Sequence, residues 1–95
     1  METTPNPSTP NEKKIRVFIM DRTGDTRAEM TVAETETVAR KELAKGKWLR
    51  LVSGGGMSEI VRTIGDLDLR LNQTDRRLFQ DTEEVTLMAA LVGGH

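Results

Sequence analysis

The sequence predicts an α+β domain, a mixed sheet of four to five strands with one main helix laid across it. Three observations point there. Two runs of alternating apolar residues, 14–20 and 27–32, flank a turn, and period-2 alternation marks a strand with one face on a core. A single run of helix formers follows at 34–45. A final run at 84–92 reads as a strand apolar on both faces, as expected of a strand in the middle of a sheet.

In the first run Ile15, Val17 and Ile19 share one face, and Arg16 and Phe18 the other. Residues 21–25 carry turn chemistry, with Gly24 free to take a positive φ. In the second run Ala28, Met30 and Val32 lie on one side, so the two runs form a hairpin. The helix at 34–45 has Thr35 or Thr37 as N-cap, acids early, and Lys41 and Lys45 late, which suits its dipole. Val38, Ala39 and Leu43 make a narrow apolar stripe, and Gly46 stands where a C-terminal glycine belongs. A stripe this narrow leaves the sheet to supply most of the holding surface.

Residues 47–52 read as a third strand, with Trp48 its largest apolar group. Residues 53–56, Ser-Gly-Gly-Gly, read as a flexible connection. The triple glycine lacks the downstream Gly-Lys-Ser/Thr of a phosphate loop, and no helix-start signal follows it. Residues 57–64 fit either a strand or a short helix. Leu67, Leu69 and Leu71 alternate with Asp68 and Arg70 and read as another strand, with a turn at 72–75. The last strand pairs with the first. One crossover helix and this strand order make a β-grasp roll.

Composition narrows the function. Ninety-five residues make one domain, and 14 Lys+Arg against 15 Asp+Glu leave a net charge of −1. That balance supplies no electrostatic reason for nucleic acid or an anionic membrane as partner. There is no cysteine, hence no disulfide, zinc–thiolate site or thiol nucleophile, and the one histidine is His95. No apolar run approaches the roughly 18–20 residues of a membrane span, and the N-terminus lacks a signal peptide's apolar stretch. A cytoplasmic protein is expected. Aromatics are 3%, so the core is built from Val, Ile, Leu and Met. A chain this short buries only about 60–65% of its unfolded surface, which leaves no room for a large interior pocket. Neither an enzyme nor a cofactor or metal site is expected. The three prolines, Pro5, Pro7 and Pro10, sit in a segment without apolar residues beyond Met1. Residues 1–12 are therefore expected as a disordered tail, 13–92 as the domain, and 93–95 as a flexible arm.

That arm, Gly93-Gly94-His95, comes directly off the last strand. Two glycines without Cβ atoms form a thin extended thread that enters a narrow enzyme channel. A C-terminal glycine carboxylate is unhindered, so it can attack the α-phosphate of ATP and form an acyl-adenylate.

The residues here resemble a known family. Leu71-Asn72-Gln73-Thr74, then Asp81-Thr82-Glu83-Glu84-Val85-Thr86-Leu87-Met88, then Leu91-Val92-Gly93-Gly94 are similar to the C-terminal third of the molybdopterin-synthase small subunit and the thiamine sulfur carrier. Ubiquitin shares the fold and the Gly-Gly. Three features differ from the sulfur carriers. Thr82 and Glu83 replace a Gly-Asp pair, Ala89-Ala90 replace two prolines, and His95 follows Gly94. The resemblance implies that Gly94, preceded by Gly93, is adenylated by an ATP-dependent activating enzyme. It also implies that the bond between Gly94 and His95 is a processing site for a peptidase, because the Gly94 carboxyl is otherwise locked in a peptide bond. If His95 is instead foreign to the natural chain, no processing is needed; if it stays, the end is inert.

Three readings follow. In the first the chain is a sulfur carrier whose Gly94 thiocarboxylate serves a sulfur-accepting biosynthetic enzyme. In the second it is a ubiquitin-like modifier joined to target-protein lysines, with Lys13, Lys14, Lys41, Lys45 and Lys47 available for self-chains. In the third it is an adaptor with an inert Gly-Gly, whose sheet face binds a partner through Arg16, Phe18, Arg50 and Arg70.

Overall fold

The computed structural model describes residues 13–89. The expected tail at 1–12 and the expected arm at 93–95 lie outside the described residues. The elements run β1 (Lys14–Asp21), β2 (Gly24–Thr31), α1 (Val32–Ala44), β3 (Trp48–Ser53), β4 (Ser58–Val61), α2 (Ile64–Gln73) and β5 (Thr82–Met88). The five strands form one mixed sheet in the order β2-β1-β5-β3-β4. β5 lies at its centre, parallel to β1 with Val17 beside Val85, and antiparallel to β3 with Leu49 beside Leu87. This is an α+β domain with one main helix, of β-grasp type.

The alternation of β1 decides which face is covered. Ile15 and Val17 point inward with Val85, Leu87, Leu49, Leu51 and Val61, and all seven are buried. Ala39 and Leu43 of α1 close over them, and Val38 packs at the margin. Among the described residues no helix lies on the other sheet face, which carries Phe18, Trp48, Arg50 and Ile60.

α1 starts earlier than its composition suggests. Thr31, rather than Thr35 or Thr37, is the N-cap: its hydroxyl accepts from the Glu34 amide at 3.2 Å, and the Glu34 carboxylate accepts from the Thr31 amide at 2.9 Å. That reciprocal box satisfies two donors that have no partner within the helix. Thr35 instead donates its hydroxyl to the Thr31 carbonyl and is buried inside the first turn. The other end is as expected. Gly46 takes φ +96°, and the amides of Gly46 and Lys47 donate to the Leu43 and Glu42 carbonyls at 2.9 and 3.1 Å, which is the Schellman closure.

Two further expectations are corrected, at the leucine run and in β5, and the alternative left open at 57–64 is resolved. The leucine run at 67–71 is a helix, α2, and not a strand: Leu67 and Leu71, one turn apart, are buried, while Leu69 between them is 53% exposed. Residues 57–64 divide into β4 and the start of α2, with Thr63 as N-cap accepting from the Asp66 amide at 3.0 Å. Residues 53–56 form a hydrogen-bonded turn, the Gly56 amide donating to the Ser53 carbonyl at 2.9 Å and the Ser53 amide to Met57 at 2.8 Å. β5 is not apolar on both faces: its inner side carries Val85 and Leu87, while Glu84 and Thr86 stand on the open side, where no core has to be filled. Its expected continuation to Val92 lies outside the described residues.

Candidate functional site

The residues expected to react, Gly93 and Gly94, and the processing position His95 lie outside the described residues. What is described is the platform from which they extend, the C-terminal end of β5. β5 is hydrogen-bonded on both sides, so its end is held at the middle of the sheet. Trp48 stands opposite Met88 on β3, on the open face. The Arg62 guanidinium covers the Trp48 ring, 4.6 Å from its centroid. On β1 Phe18 carries Arg27 at 5.6 Å. Each such contact is worth about 0.5–1 kcal/mol at an exposed site, and each shields an aromatic ring that no helix covers.

Beside the β5 end is a charged cluster assembled from three elements. Lys47 Nζ donates to Glu42 Oε1 at 2.6 Å and reaches Asp21 Oδ1 at 2.7 Å. Lys45 Nζ meets Glu42 Oε2 at 3.2 Å. Hydrogen bonds donated to Asp21 and Glu42 hold the Lys47 ammonium above its ordinary range. The bond from Lys47 holds the Asp21 carboxyl below its own. Burial pushes Glu42 up, but the hydrogen bonds from Lys47 and Lys45 outweigh it, and the net direction is down. The cluster ties the end of α1 to the end of β1 and the start of β3. Met20, Lys45, Gly46, Lys47 and Ala89 line an open cleft of about 440 Å³ there, so Ala89, the residue after β5, lies beside this cluster.

Of the four adaptor contacts, Arg16, Phe18 and Arg50 share the open face. Arg70 does not. It sits on α2 and pairs with Glu59 and Asp66, because the segment that carries it is helical. Sequence reasoning missed the Lys47 cluster and the Arg62–Trp48 stack. The Lys47 partners come from separate elements and leave no local pattern. Among the described residues no group of three or more His, Cys, Asp or Glu is placed to hold a metal ion, and no helix is long and apolar enough to cross a membrane.

The fold and platform define a small α+β domain of β-grasp type with a centrally anchored last strand. No protein-family model, curated protein or solved structure matches the chain.

Proposed function

We propose that the chain is a small carrier, activated at the Gly94 carboxyl by an ATP-dependent adenylating enzyme. One observation carries this reading. β5 is the central strand, and Gly93-Gly94 follows Ala89 by four residues. A central strand cannot slide or fray without breaking two ladders, so it is a firm base for a reactive thread.

The chemistry requires a free Gly94 carboxyl, so His95 and whatever else follows Gly94 must first be removed by hydrolysis. A Gly94 carboxylate oxygen then attacks the α-phosphorus of ATP, the bond to the β-phosphate oxygen breaks, and pyrophosphate leaves. The acyl-adenylate has two fates. A sulfur donor displaces AMP to give a thiocarboxylate for a sulfur-accepting enzyme, which is the carrier reading favoured here. Alternatively an enzyme thiol displaces AMP, and a target lysine amine then takes the acyl group as an isopeptide. The domain contributes the handle and the partner-facing surface, and the chemistry belongs to the partner enzymes.

The test compares the chain ending at Gly94 with the chain ending at His95, each incubated with adenylating enzymes that activate β-grasp carriers. The shorter chain is expected to support exchange of pyrophosphate into ATP, and the longer one is not. Gly94→Ala should slow the exchange strongly, because a methyl crowds both the channel and the carbonyl carbon. Replacement of one oxygen by sulfur in the intact mass supports the carrier; a Gly-Gly remnant on a partner lysine supports the modifier. No exchange by the chain ending at Gly94 overturns both and leaves the adaptor.

A further inference from the structure

We infer that the outer edge of β2 is a self-association surface, on which a second copy of this chain pairs antiparallel with Ala28 facing Ala28 across a two-fold axis. β2 is an eight-residue strand at the edge of the sheet, and among the described residues nothing pairs with its outer side. Asp21 and Gly24 close the β1–β2 hairpin with two residues between them. That closing pair is hydrogen-bonded, and the alternation of an antiparallel ladder follows from it. Gly24, Thr26, Ala28 and Met30 therefore direct their main-chain groups to β1. Asp25, Arg27 and Glu29 direct theirs outward, where an incoming strand meets them.

The side chains choose the register. Asp25, Arg27 and Glu29 all stand on the open face of the sheet, in register with Met20, Phe18 and Arg16 of β1. A two-fold axis through Arg27 sets Arg27 against itself and Asp25 against Glu29. An axis through Glu29 sets Glu29 against itself. Both oppose like charges. An axis through Ala28 sets Arg27 against Glu29 twice, Asp25 against Thr31, and Thr26 against Met30. An axis through Thr26 also pairs opposite charges, Asp25 with Arg27, but it sets Glu29 and Met30 against the turn residues Thr23 and Arg22, outside β2. The axis through Ala28 places opposite charges directly across while keeping residues 25–31 within the ladder, which stabilises an antiparallel pair.

Other features agree. The two Arg27–Glu29 pairs are hydrogen-bonded pairs and exchange about four main-chain bonds. Among the described residues neither Arg27 nor Glu29 forms an ion pair within its own chain. Asp25 of the second copy falls beside the start of α1, at the positive end of the helix dipole. The axis is normal to the sheet, so both helical layers lie on one side and the two open faces merge on the other. The contact is isologous and closes after two copies. It is also short, because the Thr31 amide is committed to Glu34 at 2.9 Å. The contact is small, and the dimer is accordingly weak.

The chain has no cysteine, so single cysteines report the register directly. Facing residues of a non-hydrogen-bonded pair lie about 4.5 Å apart at Cα. Ala28→Cys is therefore expected to form a disulfide dimer under mild oxidation at least tenfold faster than Thr26→Cys or the exposed loop control Thr23→Cys. A mixture of Thr26→Cys and Met30→Cys should cross-link between the two variants and not within either. Charge variants test the same register in the protein without cysteine. Arg27→Glu and Glu29→Arg should each weaken association about tenfold by analytical ultracentrifugation. An equimolar mixture of the two should associate, because each supplies the charge the other lost, and the double variant R27E/E29R should associate with itself. The double variant preserves composition, so it covers the case in which a single variant folds poorly. Equal cross-linking rates at 28, 26 and 23, or a chain that remains monomeric at millimolar concentration, overturns the inference. So does association of an unrelated β-strand peptide with this edge in preference to a second copy.

Discussion

Removing the Glu42 carboxylate tests how the charged cluster beside β5 holds the domain together. The Glu42 side chain is only 7% exposed, and it accepts from Lys47 at 2.6 Å and Lys45 at 3.2 Å. Breaking a buried pair by deleting one partner costs about 3–5 kcal/mol, because the other charge is left buried. Here Lys47 keeps Asp21, and Lys45 is half exposed, so Glu42→Ala is expected to cost about 2–3 kcal/mol. Lys45→Ala should cost no more than about 0.5 kcal/mol, as for an exposed pair. Urea unfolding at pH 7 reads both. With a slope of about 1–3 kcal/mol per molar urea, Glu42→Ala moves the midpoint by about 0.7–3 M. Protonation gives an independent check through Glu42→Gln. A carboxyl held below its ordinary value of 4.5 contributes stability that is whole above that value and lost as pH falls through the lower folded value. The stability gap between the parent and Glu42→Gln should therefore be constant near neutrality and close in acid below 4.5. Lys47, raised above its ordinary 10.5, contributes stability that is whole below that value and lost only as pH rises through the higher folded one. A Glu42→Ala midpoint equal to that of Lys45→Ala, or a gap that persists undiminished in acid, would mean that the Glu42 carboxylate does not anchor the cluster.

Leu87→Ala, at a fully buried position of the central strand, should cost about 2–5 kcal/mol in the same assay, whereas Leu69→Ala, on the outer side of α2, should cost under about 0.5 kcal/mol. Equal losses at the two positions would contradict the helical assignment of that segment. Thr63→Ala removes the N-cap of α2 and should lower stability by about 1 kcal/mol, with rescue by Thr63→Ser. Arg62→Ala uncovers the Trp48 ring and should shift its fluorescence to longer wavelength while costing about 0.5–1 kcal/mol; an unchanged emission spectrum would show that the guanidinium is not held over the ring.

The frame of this domain is legible in its residue pattern. Alternation at Ile15, Val17 and Ile19 determined the buried face of β1, because a strand's side chains change sides at every residue. The run at 34–45 announced α1, and Gly46 marked its end through a φ that favours glycine. The apolar positions Val85 and Leu87 placed the last strand in the centre beside the first. Two local signals stand in the sequence but were missed in favour of Thr35, Thr37 and a strand at 67–71: Thr31 with Glu34, and Thr63 with Asp66, each a capping residue three positions before an acid. The leucines of α2 misled for a physical reason. Leu67, Leu69 and Leu71 satisfy a period of two, while Ile64, Leu67 and Leu71 satisfy the helical spacing, and only the surface available beside α1 and β4 decides between them. Packing selected the helix, burying Leu67 and Leu71 and leaving Leu69 in solvent. Tertiary structure alone decided the Asp21–Lys47–Glu42 cluster and the Arg62–Trp48 stack. An ion pair depends on where side chains meet in space, and for Asp21 and Lys47 that meeting exists only once β1, α1 and β3 have assembled.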